Sequence, residues 1–100
     1  MKTVQVLILL LSLNFASFAE TREQLVKETA DKDAQEYFDS DVKKSSSPTM
    51  SQSEYETVMQ AAADYARGAA MGHGFTENYK ALYVREFTQD IIKLWYYGKL

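Results

Sequence analysis

SQSEYETVMQAAADYARGAAMGHGFTENYKALYVREFTQDIIKLWYY, residues 51–97, decides the fold. It opens on Ser51-Gln52-Ser53-Glu54, a capping box in which the first hydroxyl accepts a backbone N–H at the start of a helix and the acid three residues on reaches back. Met50 and Tyr55 stand where a hydrophobic staple closes over such a start. From there Tyr55, Val58, Met59, Ala62, Tyr65, Ala66 and Ala69 fall in one sector at about 100° per residue, with Thr57, Gln60, Asp64 and Arg67 opposite. The pattern predicts a helix over 52–71. Gly72-His73-Gly74 supplies its end, because glycine takes the left-handed conformation that terminates helices.

Thr76 then caps a second pattern, 77–97, whose stripe is Tyr79, Leu82, Tyr83, Phe87, Ile91, Leu94 and Trp95. Lys80, Arg85, Gln89 and Lys93 lie across from it. Large side chains in this helix meet small ones in the helix before it: Ala61, Ala62, Ala63, Ala66, Gly68, Ala69, Ala70 and Gly72. With a short turn between them, the two predict an antiparallel helical hairpin, aromatic knobs lying on an alanine and glycine floor.

Upstream, Thr21-Arg22-Glu23-Gln24 fits another capping box and predicts a helix over 22–40. Its apolar positions, Leu25, Val26, Thr29, Ala30, Ala34, Tyr37, Phe38 and Val42, repeat at three-to-four spacing but form a thin stripe. Eight acidic and three basic residues between Glu20 and Asp41 make the other face strongly anionic. Lys43-Lys44-Ser45-Ser46-Ser47-Pro48-Thr49 carries the chain's one proline and no periodicity, so it reads as a linker. The expected organisation is a leader over 1–19, an acidic amphipathic helix over 20–42, a Ser-rich linker over 43–50 and a hairpin domain over 51–100. The fold class is all-α.

The leader reading rests on Lys2, the apolar run Val4–Leu13, and Ser17 and Ala19 at the −3 and −1 positions of a signal-peptidase site. Cleavage after Ala19 leaves 81 residues with ten basic and fourteen acidic side chains. The apolar run falls short of the roughly 20 residues of a spanning helix, so no stable membrane anchor is expected after cleavage. A chain without cysteine has no disulfide and no lipidated cysteine; together with the leader this points to a periplasmic or secreted protein. One hundred residues with 46% hydrophobic and 25% charged side chains suit a single small domain. The net charge of −3 and pI near 5.1 argue against nucleic-acid binding.

The catalytic inventory is thin. His73 is the single histidine, and its partner at helical spacing, Glu77, lies beyond the Gly74 turn, so two ligands on broken geometry predict no metal site and no cofactor. Nothing marks Ser45, Ser46 or Ser47 as a nucleophile, and Glu54, Glu56 and Asp64 carry no sign of an acid–base pair. Enzymatic activity is therefore not expected. Gly68-Ala69-Ala70-Met71-Gly72 matches GxxxG, which permits close helix contact within the hairpin or with another chain. Trp95, Tyr96 and Tyr97 point about 100° apart in succession and cannot all be buried by one face. Gly68, Gly72, Trp95, Tyr96 and Tyr97 are accordingly the candidate partner-binding residues, aromatics being enriched at interface hot spots. The expected function is protein–protein binding by a small exported protein, as an inhibitor, immunity factor, adaptor or homodimer. Two alternatives fit the sequence: a precursor of secreted peptides, suggested by Lys43-Lys44 and Gly98-Lys99, and a small-ligand carrier using the hairpin groove.

Overall fold

In the computed structural model of the protein, residues 18–43 and 51–100 are described. The segment read as a leader, up to Ser17, the linker from Lys44 to Thr49 and Met50 of the staple lie outside them. Three helices make an all-α fold: α1 (Phe18–Tyr37), which runs on into a π-helical turn (Phe38–Val42), α2 (Gln52–Gly72) and α3 (Glu77–Tyr97).

The hairpin ends are built as the sequence implies. Ser51 is the N-cap of α2, its Oγ accepting the Glu54 N–H at 3.1 Å. At the other end the Gly74 N–H donates to the Met71 carbonyl (3.0 Å) and the Phe75 N–H to the Ala70 carbonyl (3.3 Å), with Gly74 at φ 76°. That pair of bonds is a Schellman motif, and it needs a left-handed residue at Gly74. Gly98 closes α3 in the same left-handed conformation, φ 75°, donating to the Leu94 carbonyl at 2.9 Å.

Two capping expectations are corrected. Thr76 occupies the N-cap position of α3, but its side chain makes no capping bond; its carbonyl instead accepts the Lys80 N–H at 2.7 Å. Thr21 is no cap, because α1 already begins at Phe18 and Thr21 lies inside its first turns rather than ahead of a helix starting at 22.

α3 is the middle element: it packs on α1 and on α2. Tyr83, Phe87, Ile91 and Leu94 are its buried large side chains. Tyr83, Phe87 and Ile91 share one core cluster with two alanine floors, Ala62, Ala66 and Ala70 of α2 and Ala30 and Ala34 of α1, all completely buried. The small alanine side chains on both flanks let the two outer helices approach α3 closely enough for its rings to fill the space between them. Tyr37, Tyr65 and Phe87, one from each helix, form a ring cluster at 4.6–5.7 Å between centroids. The glycines take no part in the floor. A Cβ placed on Gly68 or Gly72 would meet nothing within 4 Å, so close packing inside the hairpin through GxxxG does not occur.

The end of α1 departs from its expected stop at Ser40. At about 100° per residue an unbroken α-helix would bring Asp41 round to the face of Val26 and Ala34 and turn Val42 away from it. The Lys43 N–H donates to the Phe38 carbonyl five residues back, a π-turn that delays the rotation. Val42 is thereby buried and Asp41 exposed.

Candidate functional site

Acidic residues that the helical pattern assigns to solvent converge instead on α3. On α1, Asp31 and Asp33 flank the alanine stripe, and with only methyl groups between the helices their short side chains reach α3 from its two sides. Asp31 meets Glu86 and Asp90, which are four residues apart and so share a face. One carboxylate oxygen from each lies within 4.8 Å of the others. Asp90 is only 2% exposed. Burial pushes its carboxyl up to about 8, the hydrogen bond to Asp31 and the charges of Asp31 and Glu86 add to the rise, and Lys93 works against it. Glu86 is raised as well, first by burial and then by Asp31, with Lys93 and Lys27 opposing. Asp31 Oδ1 and Asp90 Oδ2 are buried without a conventional donor.

Asp33, on the other flank, ties α1 to α3 and to the turn that follows α2. Its Oδ2 accepts from the Tyr83 hydroxyl at 2.6 Å and lies 2.8 Å from His73 Nε2, which donates when that nitrogen carries the proton. The Tyr83 phenol is fully buried. Burial first, and the Asp33 bond and charge after it, hold its proton on far above the ordinary phenol range. His73 stacks on Phe75 at 5.2 Å and packs against Tyr83 at 5.6 Å, so it is a structural turn residue. Asp33→Ala strands the Tyr83 hydroxyl without an acceptor and is expected to cost about 1–3 kcal/mol, whereas Asp33→Asn keeps an acceptor and costs less. Urea unfolding of both variants measures the difference.

The residues singled out for partner binding are divided between two places. α2 and α3 run antiparallel, with Tyr55 near Ile92 and Tyr96 around an open groove that Ser51 and Gln52 also line. Tyr96 and Tyr97 stand at that end, 62% and 77% exposed, beside a half-buried Trp95. Gly68 and Gly72 lie toward the other end of α2, roughly 25 Å away at 1.5 Å per residue. The structure does not bring the two groups together. Around the glycines, Tyr65 and Met71 are 49% and 68% exposed, and the ion pair Arg67–Asp64 flanks them. Glu56 accepts from Gln52 at 3.1 Å and Asp64 from Gln60 at 3.2 Å, so neither belongs to the buried acid cluster.

Sequence reading missed both acid sites, and one signal was present. Tyr83, Phe87, Asp90 and Leu94 recur at the spacing of a core stripe, and a carboxylate in that series is a buried one unless the stripe ends there. No family model, curated protein or solved structure matches the chain. No helix among the described residues is long and apolar enough to cross a membrane.

Proposed function

We propose that the protein is a small exported helical protein that acts by binding another protein, a second copy of itself included, through the outer face of α2. The supporting observation is the open space above Gly68 and Gly72 with Tyr65 and Met71 exposed beside it. Glycine inside a helix costs roughly 1 kcal/mol relative to alanine, and Gly68 returns nothing for it in internal packing. A surface free of side chains, rimmed by a ring, a thioether and an ion pair, suits a second helix crossing closely over it.

The consequence separates stability from binding. With nothing for a methyl to strike, Gly68→Ala is expected to raise stability by roughly 0.5–1 kcal/mol, read from the denaturant midpoint. Gly68→Leu keeps the fold and fills the surface. Residues 20–100 are to be followed by light scattering across concentration and used as bait in the exported fraction of the source cell. Self-association, or a defined partner held by the wild type and released by Gly68→Leu at unchanged helicity, supports the proposal. A monomer at all concentrations with no partner sensitive to Gly68 opposes it.

A further inference from the structure

We propose that Asp31, Glu86 and Asp90 form a binding site for a hard divalent cation between α1 and α3. Three ligand oxygens within 4.8 Å of one another come close to the separation that one such ion imposes, since oxygens on opposite sides of Ca²⁺ are about 4.6–5.2 Å apart and those around Mg²⁺ about 4.2 Å at most. An all-carboxylate donor set selects hard ions, Ca²⁺, Mg²⁺ or Mn²⁺, over soft ones.

The second observation is independent of the clustering. Asp90 is 98% buried, and its Oδ2 has no hydrogen-bond donor from any backbone amide, hydroxyl or amide side chain. Asp31 Oδ1, across from it on α1, is equally unserved. Buried carboxylates are ordinarily provided with donors by the fold around them. Here Lys27 and Lys93 offset only part of the charge. Asp31 and Glu86 are half-buried, which leaves an approach for the ion and positions for the waters that complete its shell.

The two acids on α3 are spaced at i and i+4, and the third comes from the helix packed against it. The ion would therefore cross-link α1 to α3 without disturbing either backbone. This inference does not depend on partner binding through α2, and its failure leaves that reading untouched.

The test uses residues 20–100 cleared of metal with EDTA, then titrated separately with CaCl₂, MgCl₂ and MnCl₂ at constant ionic strength and fixed pH, followed by calorimetry and by the thermal midpoint. The expected result is saturable one-to-one binding of at least one of the three and a raised midpoint. Asp90→Asn preserves the shape and can hydrogen-bond Asp31, so it folds; it is expected to weaken binding at least about tenfold, by analogy with losses around known metal sites. Glu86→Gln, at a half-buried position, gives the same loss as a second, milder variant. No binding by any of the three ions overturns the proposal. So does a midpoint shift of equal size in wild type and Asp90→Asn, which would mark general screening of an acidic surface.

Discussion

Phe87→Ala is expected to remove about 3–5 kcal/mol, most of the stability that a domain of this size possesses. The ring is completely buried and lies within 6 Å of Tyr37, Tyr65 and Tyr83, so it touches rings from all three helices. Its floor is alanine on both sides. Alanine side chains have no rotamers with which to swing into a void, and the helices cannot close further without the remaining rings colliding. The cavity term should therefore stand near the upper end of its range. Chemical denaturation followed by far-ultraviolet circular dichroism measures it. Tyr65→Ala is the matched control: that ring joins the same cluster but is half exposed, and truncating it should cost about half as much or less. Equal losses at the two positions would place the core elsewhere than around α3.

The hairpin was legible because its signals are local. Ser51, the Gly72-His73-Gly74 turn and the three-to-four stripes lie within one or two helical turns of what they control. The alanine floor was legible too, though as half of what it is: Ala30 and Ala34 looked like a weak stripe, whereas beside α3 they form the second floor. A small residue reads as a poor core former only when its partner's size is unknown. As part of the floor inside the hairpin, the glycines were misread for the opposite reason. GxxxG reports that two backbones can approach, not that they do, and Gly68 and Gly72 sit on the flank of α2 that faces away from α3.

The acid sites were hidden by distance along the chain. Asp31 and Asp33 precede their partners by 40 to 59 residues, and on α1 alone they are two of six acids on a charged helix. Only the packing of α1 against α3 separates these two from the other four acids of α1 and the two of the π-turn that follows it. The π-turn that turns Val42 inward has no sequence signal beyond Val42 itself, one residue out of step with the stripe.

Freed of divalent metal by a chelator, the protein is expected to lose stability as pH rises from about 4 to 8. Asp90 titrates near 8 in the folded chain and near 3.8 when unfolded. Its folded value is the raised one. The unfolded chain therefore gives up this proton first, and the stabilisation, complete below the unfolded value, drains away until the folded carboxyl ionises in turn. Between the two values Asp90 contributes one proton to the difference between the states, a slope of about 1.4 kcal/mol per pH unit at most from this group. Glu86, raised in the same direction, adds to the fall. Asp90→Asn has no proton to lose and keeps a donor toward Asp31. The variant should be close to wild type at pH 4, more stable than wild type at pH 7, and further ahead at pH 8. Urea midpoints taken at those three values decide it. Parallel curves for the two proteins would mean that Asp90 is ionised in the folded chain at neutral pH, with Lys27 and Lys93 close enough to replace the proton.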